Sequence, residues 1–252
     1  PMFRERLASS RNYQWIVDRL DMTVSMLDGK VSFDVDGVEV RSSRPAVERF
    51  NRLHGTNYGE NDLIGFFAMV EWIKIHCLDV ENPLRYAIGV WNNSEVFRSA
   101  PAEQGALILS SFLGGLRVHR ITSRPGEFCD DTIAWYRENM PWVDPEHIHV
   151  QQEEGRIGTD FKAQKIADLG IKYHIDDSYE QAEEIVQLTE QSGTVVVLVP
   201  QLWNKGYRPE TPRIITTSPE YYDFDKPESG LPKLVASFFT LADYMLREDI
   251  AR

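Results

Sequence analysis

The chain of 252 residues predicts an α/β fold, an open parallel sheet with helices on both faces. Three observations point to it. From residue 117 onward, short apolar runs alternate with stretches of helical length, the pattern of strands joined by helical crossovers. Several runs end in polar residues capable of chemistry: Asp34 and Asp36, Thr122 and Ser123, Asp176 and Asp177. One run, Val195 to Pro200, is apolar throughout, as a strand covered on both faces must be.

The elements follow in order. Residues 4 to 28 scatter Leu7, Trp15, Ile16, Leu20 and Val24 among charged neighbours. This ragged helical pattern predicts an N-terminal helical extension over residues 1–30, packed on the main domain or used in a homodimer contact. Val31 and Phe33 lead into Asp34, Asp36 and Gly37, a short strand opening into a tight turn with two acids. An ordinary Asp-Gly hairpin has the same local appearance, and only the downstream pattern separates the two. Pro45 opens a helical segment that Gly55 closes. Asn61 or Asp62 can cap a second helix bearing Phe66, Phe67, Met69, Val70, Trp72 and Ile73, and helical stretches follow at Leu84–Val90 and Glu103–Leu113. Residues 41–105 hold no convincing strand and read as an all-helical insertion, leaving 31–40 and 106–252 as the α/β core.

Beyond the insertion, Arg117–Ile121, His147–Val150, Lys172–Ile175 and Thr194–Val199 read as strands. Phe128–Asn139, Phe161–Leu169 and Ser178–Glu190 are the helices between them. Residues 208 to 232, rich in Pro, Thr and Ser, read as an irregular connection. Leu234, Val235, Phe238, Phe239 and Met245 mark an amphipathic helix that covers the sheet or joins a subunit contact.

Composition narrows the partners. Charged residues make up 26% and hydrophobic ones 42%, and no apolar run approaches the length that crosses a bilayer, so no membrane is expected. A formal net charge of -12 argues against a nucleic-acid polymer, because that affinity comes from clustered Lys and Arg. Cys77 and Cys129 are far apart and no secretory pattern is visible, which predicts free thiols and a cytoplasmic location.

In an open parallel sheet the ligand sits outside the carboxyl ends of the strands. That rule gathers Asp34, Asp36, Thr122, Ser123, Asp176 and Asp177 at one rim, with Lys162 at the opening of a helix beside it. Converging carboxylates repel, and a divalent cation with oxygen ligands is the usual remedy. Aspartates with neither His nor Cys suit Mg2+ better than Zn2+. A phosphate placed beside that cation would find an aspartate nucleophile, the Thr122 hydroxyl and the Lys162 ammonium, the equipment of phosphoryl transfer.

Asp34-Val-Asp-Gly-Val, Thr122-Ser-Arg-Pro, Lys162 fourteen residues before Asp176, and Asp176-Asp-Ser resemble the four ordered motifs of the haloacid dehalogenase (HAD) superfamily of phosphohydrolases. The helical insertion is similar to that superfamily's cap on a Rossmann-like core. Val199-Pro-Gln-Leu-Trp-Asn, with Glu48-Arg-Phe-Asn and Gly55-Thr-Asn-Tyr, resembles its deoxyribonucleotidase branch.

The resemblance implies roles one at a time. Asp34 is the nucleophile and a Mg2+ ligand, and Asp36 is the general acid/base, its main-chain carbonyl reaching the metal. Thr122 holds the phosphoryl group, Lys162 steadies nucleophile and phosphate, and Asp176 is a metal ligand. Asp177 is a further ligand or a support for Lys162. Lys165, one helical turn on, is an alternative to Lys162. Members that cleave carbon-halogen bonds lack the second acid, so Asp36 favours a phosphate ester. A nucleoside monophosphate or deoxynucleotide is the implied substrate. The alternatives are a sugar phosphate, or a weakly catalytic regulatory protein that binds nucleotide or phosphate.

Three further features have competing readings. Arg124 can reach a substrate phosphate, pair with a cap acid or form a surface salt bridge. His147 and His149 share a strand face as two zinc ligands might, but no third ligand lies near in sequence. Phe66, Phe67, Trp72 and Trp91 are core residues or, for one of them, a stacking surface for a base.

Overall fold

The structure is a computed structural model, and it describes residues 27–77, 79–103, 105–152, 158–227 and 231–250. The helices expected over residues 4 to 28 lie outside that set, apart from their last two residues. The elements are β1 (Val31–Phe33), α1 (Ser43–His54), α2 (Phe66–His76), α3 (Pro83–Trp91), α4 (Ser94–Ser99), α5 (Ala106–Phe112), β2 (Val118–Pro125) and α6 (Cys129–Asn139). There follow β3 (Ile148–Gln151), α7 (Gly158–Asp168), β4 (Tyr173–Asp176), α8 (Tyr179–Leu188), β5 (Val195–Leu198), β6 (Ile214–Thr216) and α9 (Lys233–Ile250).

The six strands pair in the order β3-β2-β1-β4-β5-β6, every pair parallel. The chain builds outward from β1 through β2 to β3, then returns to lay β4 on the other side of β1. The strand order therefore reverses between β1 and β4, which leaves a crevice beyond their carboxyl ends.

The two-residue period of the strands sorts the side chains onto two faces. Val31, Phe33, Ile175, Val197 and Val199 point to one core, with Leu109 of α5, Trp135 and Tyr136 of α6, and Phe238 and Phe239 of α9. Ile121, Val196 and Leu198 point to the other, with Phe161 and Ile166 of α7 and Ile185 of α8. Phe33 and Phe239 are fully buried, and each such ring contributes roughly 1.5–3 kcal/mol. Helices α1 to α4 share a separate apolar cluster around Phe50, Met69, Trp72, Ile73 and Phe97.

Ser32 is a polar residue in a central strand, and the structure explains it. It stands in register with His119 of β2 and His174 of β4, and its hydroxyl lies 2.8 Å from His174 Nδ1. The polar seam is satisfied internally, so β1 keeps its doubly covered place.

The structure corrects the sequence reading in four places. Residues 208 to 232 are not wholly irregular, because Ile214–Thr216 adds β6 at the sheet edge, a run too short for any period to show. The helix expected from Asn61 or Asp62 begins at Phe66, since Gly65, at a φ of 129°, separates it from a single 3-10 turn at Glu60–Asp62. The stretch expected from Glu103 begins at Ala106, after Gly105 at a φ of 88°. Helix α4, capped by the Asn93 side chain, was not expected, since six residues carry little periodicity. Among the described residues no helix is long and apolar enough to cross a membrane, and Cys77 and Cys129 are unbridged.

Candidate active site

Asp34 follows β1 and Asp176 ends β4, so both stand at the point where the strand order reverses. The Asp34 N–H donates to the Ile175 carbonyl at 2.8 Å, which pins the nucleophile candidate to the neighbouring strand. By the same two-residue period as Ser32 and His174, both acids turn to the α7 face. Lys162 of α7 reaches them there, with its Nζ 3.0 Å from Asp34 Oδ2 and 2.9 Å from Asp176 Oδ2. The lysine is fully buried. Gly158 lets the start of α7 come this close, since a β-carbon there would lie 2.5 Å from the Ser123 side chain. Lys165, the alternative lysine, is half-buried and acts electrostatically on His149.

The two acids after β4 differ in their surroundings. Asp176 Oδ2 accepts from Lys162 and from His174 Nε2 at 3.1 Å, and its Oδ1 accepts from the Ser178 N–H at 2.9 Å. Burial pushes this carboxyl up, but Lys162 and the His174 and Ser178 hydrogen bonds outweigh it and hold it below the usual carboxylate range. Asp177 is half-buried and lines the cavity, with its Oδ2 against Gly37. Burial, with the Asp176 and Asp34 charges, pushes Asp177 well up. Burial, opposed by Lys162 and reinforced by Asp176 and Asp36, holds Asp34 up at about 7.

Asp34, Asp176 and Asp177 offer carboxylate oxygens all within 4.8 Å of one another. Asp34 Oδ1 is buried without a hydrogen-bond partner. An orphaned anionic oxygen among carboxylates that resist ionising together is a donor set fitted to a divalent cation with oxygen ligands. Gly37 is part of that fit: its φ is 74° and an added β-carbon would stand 2.0 Å from Asp177 Oδ2. A Gly37→Ala variant is expected to fold yet bind Mg2+ at least about tenfold more weakly by calorimetry, about 1.4 kcal/mol. Unchanged affinity would remove Asp177 from the donor set.

Asp34, Asp36, Thr122, Ser123, Arg124 and Asp177 line one cavity of about 570 Å3. Its far wall comes from the helical segment between β1 and β2: Ile64, Phe67, Ile88 and Trp91. Ile64 is 68% and Phe67 66% exposed, whereas Trp72 is buried, stacked on Tyr58 with ring centroids 4.1 Å apart. Of the candidate stacking residues, Phe67 and Trp91 therefore face the cavity and Trp72 belongs to the core.

Arg124 is not a surface residue. It is buried, and its Nε and Nη2 donate to the two oxygens of Asp36 at 2.8 and 2.7 Å.

Residues to which the sequence assigned no individual role also shape the site. Gln201 donates to the Gly37 carbonyl at 2.7 Å, while Trp203 Nε1 and Asn204 Nδ2 donate to the Asp177 carbonyl at 2.7 and 3.1 Å. The segment after β5 thus holds both acidic loops in place. Buried Glu39 pairs with Arg120 at 3.0 Å and accepts from Tyr136, which fixes the far end of the Asp34 turn. His174 was legible in principle, since it lies two residues before Asp176 on the same strand face. The histidine pair acquires a third member from the neighbouring strand β2, His119, whose Nδ1 lies 3.0 Å from His149 Nε2. Burial lowers both His119 and His149 to about 4, which leaves neutral rings joined by a hydrogen bond.

No protein-family model matches the chain, and no curated protein matches it. Among solved structures it is similar to a candidate phosphatase from Clostridium difficile, at 13% identity and a TM-score of 0.51, covering 80% of this chain and 97% of the other. It is also similar to a magnesium-bound candidate HAD hydrolase, YfnB, from Bacillus subtilis, at 13% identity and a TM-score of 0.48, covering 75% and 92%. A third match is CbbY from Rhodobacter sphaeroides in complex with phosphate, at 13% identity and a TM-score of 0.46, covering 75% and 93%. The first of these matches establishes a shared α/β fold and no more.

Proposed function

We propose that the protein is a Mg2+-dependent phosphomonoester hydrolase that works through an aspartyl-phosphate on Asp34. The observation that carries the reading is the Asp34 carboxylate itself. One oxygen is held by Lys162 at 3.0 Å, and the other is buried, unpartnered and surrounded by acids at a cavity floor. In this reading Asp34 and Asp177, with the Asp36 main-chain carbonyl, hold the ion. Asp176 anchors Lys162 through its Oδ2, while its Oδ1, which accepts from the Ser178 N–H, has a second lone pair to offer the same ion. Bound Mg2+ would neutralise charge between the carboxylates and the phosphoryl oxygens.

The residues then divide the chemistry. Lys162 orients the Asp34 oxygen, and the Thr122 hydroxyl with Ser123 holds the phosphoryl group in line with it. As the Asp34 oxygen bonds to phosphorus, the ester P–O bond breaks, and the leaving oxygen keeps the electron pair and takes a proton from Asp36. Asp36 then removes a proton from water as the water oxygen attacks phosphorus. The Asp34–phosphorus bond breaks, which returns the carboxylate and free phosphate.

The finer substrate reading is a nucleoside monophosphate or deoxynucleotide, with residues 41–105 acting as the cap. The apolar wall of exposed Ile64, Phe67 and Ile88 with half-buried Trp91 supports it, since a flat base is held by aromatic faces without charge. A sugar phosphate would ask the same wall for hydrogen bonds. Among the described residues, the one cation lining the cavity, Arg124, is committed to Asp36, which disfavours substrates with a second phosphate. The test is phosphate release from a panel of nucleoside monophosphates, nucleoside diphosphates and hexose phosphates. Activity is expected with Mg2+, lost in EDTA and highest on a nucleoside monophosphate. Preference for hexose phosphates would overturn the substrate class, and no release from any ester would overturn the hydrolase reading.

A further inference from the structure

The sequence leaves Arg124 as a candidate phosphate ligand, but its surroundings assign it another task. Its side chain leaves the end of β2 and is buried where three elements meet. Its Nε and Nη2 form a two-point fork on Asp36, and its Nη1 donates to Thr132 Oγ1 of α6 at 3.1 Å. Thr132 is itself fixed by its bond to the Phe128 carbonyl at 2.9 Å. The guanidinium carbon lies 4.0 Å from the centroid of the Phe97 ring, which belongs to α4 of the helical segment. Phe97 is fully buried and packs edge-on against Phe128, with centroids 5.1 Å apart. Beside it, Arg98 of α4 pairs with Asp131 of α6 at 2.5 Å.

We propose that Arg124 is a positioning residue that fixes the orientation of the Asp36 carboxylate and ties it, through Phe97, to the seating of the helical segment on the core. The proposal rests on the hydrolase reading above, since it concerns the group that protonates the leaving oxygen. A guanidinium is planar, so a two-point fork sets the plane of the carboxylate as well as its place, which an ammonium cannot do. Each carboxylate oxygen has a second lone pair beyond the one the fork uses. Asp36 keeps 23% of its side chain exposed and lines the cavity, so those lone pairs open toward a bound ester. The aromatic face of Phe97 in turn holds the guanidinium plane. A shift of α4 relative to β2 would move the fork, and with it the acid.

Positioning of an acid is separable from phosphate binding by the leaving group. With Mg2+ present, kcat/KM is measured for an alkyl phosphate, whose leaving oxygen needs a proton, and for 2,4-dinitrophenyl phosphate, whose leaving oxygen does not. Arg124→Gln is expected to lower the first by about 10^2-fold, within the range that general acid catalysis supplies, and the second by less than about threefold. Arg124→Lys should show the same split, because a point charge pairs with Asp36 without orienting it. Should either variant fail to fold by circular dichroism, Phe97→Leu carries the test, with a smaller split of the same sense.

Equal losses on both esters, or a KM that rises on both, would make Arg124 a phosphate ligand or a structural residue and overturn the proposal alone. Wild-type protein inert toward both esters would overturn the hydrolase reading and this proposal with it.

Discussion

Replacing Asp34 by Asn is expected to abolish phosphate release while leaving a protein no less stable than the wild type. The loss should be at least about 10^4-fold in kcat, the scale on which removal of a covalent nucleophile acts. Folding should not suffer, because Asp34 is ionised at a cost: burial and the Asp176 and Asp36 charges hold it up at about 7. Between an ordinary carboxylate value and about 7, folded Asp34 keeps a proton that the unfolded chain releases. Stability therefore falls as pH rises through that interval in the absence of a divalent cation. Urea unfolding in EDTA at about pH 5 and about pH 8 should show this fall for wild type and a weaker one for Asp34→Asn. Undiminished phosphate release by the Asn variant would remove the nucleophile assignment. Identical pH slopes would mean that Asp34 is not the crowded acid described here.

Lys162→Met should have the opposite balance, with loss of activity and of stability together. The ammonium is buried between two carboxylates and contacts both. Removing it leaves Asp34 and Asp176 facing each other without a cation, and breaking a buried charge network in this way costs about 3–5 kcal/mol. Adding Asp176→Asn should recover part of the stability and none of the activity, because it removes a buried charge without restoring the group that orients Asp34. Chemical denaturation of the three proteins checks this. A single variant within about 1 kcal/mol of wild type would show that the pair of acids is relieved by something other than Lys162.

The residues these two variants replace show why the site is partly legible in the sequence. Asp34, Asp36, Thr122, Lys162 and Asp176 are side chains whose types make sense only together, although Thr122 lies within β2 and Lys162 one turn inside α7 rather than at the element ends that local pattern suggested. Where the pattern was short, it failed: β6 has three residues and α4 six, and neither carries enough periods to stand out from a loop.

Roles that depend on which of two neighbours faces inward were also hidden. Asp176 and Asp177 are adjacent in sequence, so strand alternation sends one to Lys162 and the other to the cavity. The choice is set by the register of β4 against β1, which pairs Ser32 with His174.

By itself, then, the amino-acid order determined a parallel α/β sheet with a helical insertion after the first strand, and it listed the acids, hydroxyl and lysine that chemistry at its rim would need. Those features are local, written in two-residue and helical periods and in residue type. Only the tertiary structure decided that Arg124 grips Asp36, that Asp176 serves Lys162, that Gln201 and Trp203 brace the acidic loops, and that Phe67 rather than Trp72 meets the cavity. Each of these is a contact across many residues of chain, 88 in the case of Arg124 and Asp36. Such contacts are fixed by strand order, register and helix packing, which no stretch of sequence carries alone.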